Sequence, residues 1–269
     1  MIILQNDSLS IELNAEFDFL IIKLQGDEIA YSIKMLNNLL EIKSVIQEAA
    51  KLHNIKAIVS YSLNKNVWSY GGDLGYFYEC ISTSDSRNLK EYAYKCVEMV
   101  YQNNCGYETN IPTCSIVNGK AYGGGFESAL SSNIVMANAN SKFSFPEINF
   151  GSFPGMGAFS ILTKKMGIFA AKSFIENFKI FDAQELENLN IIDKSLVYEK
   201  IEETFPLIEA KIDSHNKNKF ISNYLRLSLD ELKTGTDFWV DKMMNLDEYN
   251  RNKISRINTL QNKSITFVQ

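Results

Sequence analysis

Three consecutive glycines, Gly123-Gly124-Gly125, stand between the apolar run Thr113 to Val117, which ends in an Asn118-Gly119 turn signal, and the helical stretch Phe126 to Leu130. The chain has 269 residues but only fourteen glycines and four prolines, so the triplet concentrates backbone freedom in one place. Glycine adopts angles closed to other residues and lets a second backbone or a ligand come close. A strand, a tight turn and a helix start are therefore expected here, with unpaired N–H groups at the helix N-terminus. Glu127 falls about one turn into that helix, on the side of the same opening. Its neighbours Phe126, Ala129 and Leu130 are apolar or small, so the carboxylate is expected to be enclosed rather than free in water.

Strand-like and helix-like segments alternate around this point. Leu9, Ile11 and Leu13 alternate along one face, and Phe17 to Leu24 is a dense apolar run; both read as strands. Met35, Leu39, Leu40, Ile46 and Ala50 give Ile33 to Leu52 a helical period. Ile55 to Ser60 reads as a buried strand, and Leu89, Ala93, Val97 and Val100 mark a helix over 86–104. Strands at Ile134 to Ala137 and Lys142 to Phe145 follow, then helices at Ala158 to Met166 and Ile168 to Phe178. This alternation predicts an α/β core over residues 1–197. From 198 to 269 charged and apolar residues interleave at helical spacing, with a strand-like run only at Ile265 to Val268. That segment is expected to be helical and to pack on the core or on a neighbouring subunit.

Several functions are excluded by composition. Hydrophobic residues make up 45%, which suits a buried core rather than disorder. The net charge is −5 and no basic block occurs, so nucleic acid is not an expected partner. No stretch approaches the apolar length of a bilayer span, so no membrane insertion is expected. Cys80, Cys96, Cys105 and Cys114 form no Cys-x-x-Cys pair and have no histidine at metal spacing. They read as reduced structural thiols, and with no secretory signal the expected location is cytoplasmic. The two histidines, His53 and His215, sit in a helical pattern and a polar stretch, away from any nucleophile pattern. Catalysis, if present, falls to carboxylates.

Three more clusters bear on chemistry. Trp68-Ser69-Tyr70-Gly71-Gly72-Asp73-Leu74 lies between a strand and a helix whose positive end would point at any ligand there. Taken alone it is an ordinary turn capped by Asp73. Phe143-Ser144-Phe145-Pro146-Glu147-Ile148 ends a strand at a proline, leaving Glu147 among hydrophobic neighbours just beyond it. Phe153-Pro154-Gly155-Met156-Gly157-Ala158 is a rigid turn into a helix, by itself structural punctuation.

Together the clusters are specific. Gly-Gly-Gly-Phe-Glu at 123–127, Pro146-Glu147, and Pro154-Gly155-Met156-Gly157, with Gly71-Gly72-Asp73 upstream, resemble the crotonase (enoyl-CoA hydratase/isomerase) superfamily. Phe181 to Leu186 and Asn190 to Asp193 match its later region, with Asn190 where the family often has glycine. The segment at 70–73 departs from a common Ala-Gly-Ala/Gly-Asp pattern. A narrower resemblance, to the diffusible signal factor synthases, runs through Gly71 to Leu74, Phe77, 123–127 and Phe153 to Ser160, reaching Phe238-Trp239-Val240-Asp241.

The resemblance implies a crotonase fold, in which repeated ββα units form a spiral core with a C-terminal helical segment. It implies an oxyanion hole from the Gly72 and Gly124 N–H groups and catalysis by Glu127 and Glu147, one moving the α-proton and the other the 3-hydroxyl. It further implies dehydration of a 3-hydroxyacyl thioester, and in the narrower group thioester hydrolysis that releases a cis-2-unsaturated fatty acid signal. No cofactor is implied beyond the acyl carrier protein or CoA that bears the substrate. Gly71, Gly123 and Gly125 flank the hole, and Phe145, Pro154, Gly155, Met156, Phe159 and Trp239 are candidate acyl-pocket residues, though core packing is the competing role for the large ones. A homo-oligomer, trimer or hexamer, is implied by fold analogy. No clear basic cluster for CoA phosphates is visible in the sequence. The rival readings are enoyl-CoA hydration or isomerisation in fatty-acid metabolism, plain thioester hydrolysis, and a non-catalytic acyl-thioester binder.

Overall fold

The computed structural model of the chain describes residues 1–25 and 29–266. In chain order the elements are β1 (Ile2–Gln5), β2 (Leu9–Asn14), β3 (Phe19–Leu24), α1 (Ile33–Leu52), β4 (Ala57–Ser62), β5 (Val67–Ser69), α2 (Leu74–Ser82) and α3 (Ser86–Asn104). Then come β6 (Thr113–Val117), β7 (Lys120–Tyr122), α4 (Gly124–Leu130), β8 (Ile134–Asn138), β9 (Lys142–Ser144), a 3-10 turn (Pro146–Phe150), α5 (Ala158–Met166) and α6 (Ile168–Glu176). The chain continues through β10 (Phe181–Asp182), α7 (Ala183–Asn188), β11 (Lys194–Leu196), α8 (Phe205–Lys217), α9 (Lys219–Tyr224), α10 (Leu229–Met244) and α11 (Glu248–Thr266).

The strands form two sheets, in the orders β1-β2-β3-β4-β6-β8-β11 and β10-β9-β7-β5. Pairing is parallel from β3 to β11 in the first sheet and from β5 to β9 in the second. Each ββα step, β4-β5-α2, then β6-β7-α4, then β8-β9-α5, thus adds one long strand to the first sheet and one short strand to the second. This is the repeated unit of the crotonase fold, and it makes the chain α/β. The long strands are covered on both faces: every residue of β6 and β8 is buried. That accounts for their continuous rather than alternating hydrophobicity.

Local rules explain the helix starts. Ser32, Asp73, Asp85 and Asp182 each accept a backbone N–H at the N-terminus of α1, α2, α3 and α7. In α7, Glu185 reciprocates to complete a capping box. Asn190 takes φ +55°, the left-handed conformation that its side chain tolerates.

Some boundaries differ from expectation. The strand expected from Ile55 begins at Ala57, because the Lys56 N–H turns to Asp18 O. Ile265 and Thr266, expected in a strand, end α11, and Phe267 and Val268 lie outside the described residues. The short strands β5, β7 and β10 carry too few residues for period 2 to show.

The last helices close over the core. In α10, Asp237 pairs with Lys90 (2.8 Å) and accepts from Tyr94 Oη (2.9 Å) on α3. At the start of α8, Phe205 sets its ring edge-on to Phe17 and Phe19, at 5.6 Å from each. In α11, Lys253 Nζ donates to Asn149 O at 2.7 Å, tying it to the 3-10 turn that carries Glu147. No helix among the described residues is long and apolar enough to cross a membrane.

Candidate active site

The two glycine segments meet backbone to backbone. Gly71, at φ +81°, faces Gly124 so closely that a methyl on it would lie 2.4 Å from Gly124 N. A methyl on Gly124 would lie 3.4 Å from Gly72 N and 2.3 Å from Met156 Sδ. The N–H groups of Gly72 and Gly124 therefore sit side by side, and neither has a protein acceptor among the described residues. A pair of free amide N–H groups at one edge of a cleft is the arrangement that stabilises a developing oxyanion.

The Gly72 segment is held from behind. Tyr31 N–H donates to Gly71 O at 2.7 Å, and Tyr70 N–H donates to Ile29 O at 2.6 Å. The hydroxyl of Tyr92, from α3, donates to Tyr31 O (2.5 Å) and accepts from Asp73 N (3.0 Å). It thus ties the Tyr31 segment to the Gly72 segment, which meet in an isolated parallel β-bridge.

Glu127, in the first turn of α4, is almost fully buried. Its Oε1 accepts the N–H groups of Met156 and Ala158, both at 2.8 Å, while Oε2 has no partner. Glu147, in the 3-10 turn, is also buried and its Oε2 likewise lacks a partner. Its Oε1 packs against Gly123, where a methyl would come within 2.4 Å. At φ +53° that position suits glycine on both counts.

Burial pushes the Glu127 carboxyl up to about 7, opposed by the N–H groups of Ala158, Met156 and Gly157. Burial pushes Glu147 further, to about 8, and the Glu127 charge adds to it. Only its own backbone N–H opposes the rise. The asymmetry is physical: amide donors favour the carboxylate form of Glu127, and Glu147 has no comparable set. One proton shared near neutrality therefore rests on Glu147.

Both carboxylates line one cleft with about 50 Å³ of free space, together with Gly72, Gly123, Gly124, Gly155, Met156 and Trp239. That is room for a few water molecules, since each needs about 10–15 Å³. Trp239 reaches the cleft from α10 and sets its ring edge to Phe77 at 5.1 Å.

Of the sequence candidates, Gly71 and Gly125 stand behind the cleft wall; a methyl on Gly125 would strike Ser69 O at 2.1 Å. Three acyl-pocket candidates are elsewhere. Phe145 is buried but stacks on Phe126 at 4.8 Å, because alternation along β9 sends Phe143 and Phe145 to the same apolar side. Phe159 is 47% exposed: Ala158, Ile161 and Leu162 form the buried stripe of α5, and Phe159 falls off it. Together with Pro154 it lines a separate groove on the other side of Gly155. The sequence reading missed Tyr92, Cys96, Ile257 and Gln261 as cleft residues. No spacing signal marks them, since they come from α3 and α11 at sequence separations only the fold closes. The four cysteines are free, and burial pushes the Cys96 thiol far above its ordinary value, which leaves it inert as a nucleophile.

The comparisons with known proteins bear on the family and the fold. The family model for enoyl-CoA hydratase/isomerase matches residues 20–256, and the chain belongs to that family. It is 26% identical over 194 residues to the peroxisomal bifunctional enzyme of Pongo abelii, covering 72% of this chain and 25% of that protein. It is 33% identical over 104 residues to a short-chain-enoyl-CoA hydratase of Clostridium acetobutylicum, covering 39% of this chain and 40% of that one. The chain thus spans about a quarter of the length of the bifunctional enzymes it matches. Among solved structures, an enoyl-CoA hydratase from Bacillus halodurans superposes with a TM-score of 0.75 at 20% identity, over 93% of this chain and 100% of that one. An enoyl-CoA hydratase/isomerase from Mycobacterium paratuberculosis gives 0.72 at 18% identity, over 94% and 99%. At those identities the superpositions speak for the fold alone.

Proposed function

We propose that this chain adds or removes water across the 2,3-bond of an acyl thioester. The observation that carries the reading is the pair of buried, partnerless carboxylate oxygens, Glu127 Oε2 and Glu147 Oε2, lining one cleft with two free amide N–H groups. A thioester carbonyl held by Gly72 and Gly124 N–H would carry its negative charge there as an enolate. For hydration, ionised Glu127 takes a proton from water as it attacks C3, and protonated Glu147 delivers its proton to C2. Dehydration runs the same steps backwards, with the proton starting on Glu127. The two carboxyls titrate close together, so both protonation states are accessible near neutral pH. The reaction uses no cofactor beyond the group that carries the acyl chain.

The narrower form of the proposal is a signal synthase. It dehydrates a 3-hydroxyacyl chain on acyl carrier protein and then lets water attack the thioester carbonyl in the same oxyanion hole, releasing a cis-2-unsaturated fatty acid. Its support is the sequence resemblance through 71–77, 123–127 and 153–160, together with Trp239, which lies in the cleft. Enoyl-CoA hydration or isomerisation in fatty-acid metabolism is served equally well by the same groups. In either form we place the protein in the cytoplasm, on its free thiols, and as a trimer or hexamer, on the habit of its fold.

The test is to incubate the protein with a medium-chain 3-hydroxyacyl-acyl carrier protein and, separately, with 2-enoyl-CoA, following products by mass spectrometry. A free 2-unsaturated acid from the carrier protein supports the signal synthase. Water addition to enoyl-CoA with no free acid supports the hydratase. No turnover of either substrate leaves a binding protein and overturns the proposal.

A further inference from the structure

The far ends of α4 and α5 border a second cavity, of about 260 Å³, which has no part in the chemistry above. Lys164 and Lys165 enter it from the last turn of α5 and Lys211 from α8, joined by Asp193, Ser214 and His215. The three lysines come from two elements nearly fifty residues apart, so no basic cluster shows along the sequence.

Positive charges outnumber negative ones among the residues that line this cavity. Asp193 is the one carboxylate among the residues that line it, and its Oδ2 is committed to Val135 N–H at 2.9 Å. Its Oδ1 lies 3.8 Å from Lys211 Nζ, the only ion pair any of the three lysines makes among the described residues, and Lys211 Nζ also donates to Asp193 O at 3.4 Å. Lys165 Nζ donates to a neutral acceptor, Ile191 O, at 3.0 Å, and Lys164 Nζ stands 5.7 Å from the Tyr224 ring. Glu187 is within electrostatic reach of Lys211, but its oxygens are taken by Lys194 Nζ (2.6 Å) and Ser195 N–H (2.8 Å). Arg226 adds a further positive charge near His215.

The amide groups are already spent within the protein. Asn133 Nδ2 donates to Asn104 O, and its Oδ1 accepts from Thr113 N–H and Oγ1. Asn218 Nδ2 donates to Ser214 O. Lys165 and Lys211 each give one hydrogen bond to a backbone carbonyl, which carries no net charge, so the lining sets three ammonium groups against one carboxylate. Burial depresses the Lys165 ammonium and Asp193 opposes that, so an anion placed beside it would favour its charged form.

We propose that this cavity binds a phosphoryl group, whose two negative charges and several acceptor oxygens match the surplus that Lys164, Lys165 and Lys211 present. A monocarboxylate would leave one charge unbalanced and accept fewer hydrogen bonds. The group is carried either by a free phosphorylated metabolite or by the nucleotide portion of CoA. The inference stands whether or not the proposed reaction does, because it concerns a separate cavity.

The test is isothermal titration of the whole protein with inorganic phosphate, with adenosine 3′,5′-bisphosphate, and with acetate at equal ionic strength. Phosphate is expected to bind saturably, and Lys165→Met or Lys211→Met to weaken it by about ten-fold or more, the size of one charged hydrogen bond. Lys211 is partly exposed, so its variant keeps the test open if Lys165→Met fails to fold. If the bisphosphate binds more tightly than phosphate and CoA displaces it, the source is the thioester carrier. If phosphate binds as well as the bisphosphate and CoA leaves it in place, the source is a free metabolite. Absence of saturable phosphate binding, equal affinity for acetate, or indifference to both lysine variants would overturn the proposal.

Discussion

The cleft and the lysine cavity lie at opposite ends of the same two helices, and their electrostatics are opposite. At the start of α5, the Ala158 N–H donates to a buried carboxylate; at its end Lys164 and Lys165 stand near the last carbonyls. This is the sense in which a helix dipole is best satisfied, anion at the N-terminus and cation at the C-terminus. In each region like charges are held together at a desolvation cost. The cleft relieves that cost by keeping a proton, because carboxyls raised towards neutrality can do so. In the cavity burial also disfavours the charged form, pushing the Lys165 ammonium down, and the nearby Asp193 carboxylate opposes that. On the two proposals above, one region exchanges protons and the other attracts a counter-ion.

This contrast breaks most readily at the carboxylates. Glu127→Gln and Glu147→Gln each remove a proton carrier while keeping side-chain shape. Each is expected to cut kcat by about 10²–10⁴ with circular dichroism unchanged. Near-normal turnover in both would mean that the cleft does not use them. Gly124→Ala comes next, since its methyl meets Met156 Sδ and crowds Gly72 N–H. Loss of one oxyanion donor typically lowers kcat by about 10²–10³, and steady-state kinetics would read it. A smaller effect is expected from Tyr92→Phe, which leaves Asp73 N–H and Tyr31 O without their shared partner. That costs about 1–3 kcal/mol of stability by the usual penalty for unsatisfied buried groups. If Tyr92 aligns Gly72, kcat falls while KM holds. A drop in melting temperature alone would make its role structural.

Stability against pH sharpens the comparison further, because the two regions carry opposite signs. The folded-state carboxyls of Glu127 and Glu147 titrate above their ordinary 4.5, at about 7 and 8. The native protein therefore holds protons that the unfolded chain has released. The stability they contribute is complete below pH 4.5 and is lost as pH rises through about 8. In Glu127→Gln or Glu147→Gln, the melting temperature should fall less steeply over that window. Lys165 is depressed below 10.5, so its folded state releases a proton first and its contribution rises as pH climbs towards 10.5. Calorimetry of Lys165→Met should show that rise removed. The smallest effect belongs to Phe159→Ala, whose ring lies outside the cleft. Turnover should hold to within about 0.5 kcal/mol, the range of ordinary surface changes. A larger loss would return Phe159 to the acyl pocket.

Much of the frame was legible along the chain. Helix 86–104, strand Thr113–Val117 and helix Ala158–Met166 fall where periodicity and apolar runs put them, because each is long or pure enough for one period to dominate. The glycine triplet also read correctly as a turn into a helix, since close backbone approach leaves no substitute for glycine. The aromatic candidates read less well. Phe145, Phe159 and Trp239 look alike in sequence, yet one is core, one half in solvent and one in the cleft.

Local chemistry, then, was determined by the sequence: where the backbone must bend, that Asp73 can cap a helix, and that carboxylates rather than histidines are the candidates for proton transfer. Those are short-range matters of sterics, hydrogen bonding and residue inventory. Only the tertiary structure decided that Gly72 and Gly124, fifty-two residues apart, present their N–H groups side by side. It also decided that Glu127 receives two amide N–H groups while Glu147 does not, and that three lysines share one carboxylate behind them. A pKa depends on burial and on neighbours brought in from distant segments, and neither is a property of a residue's place along the chain.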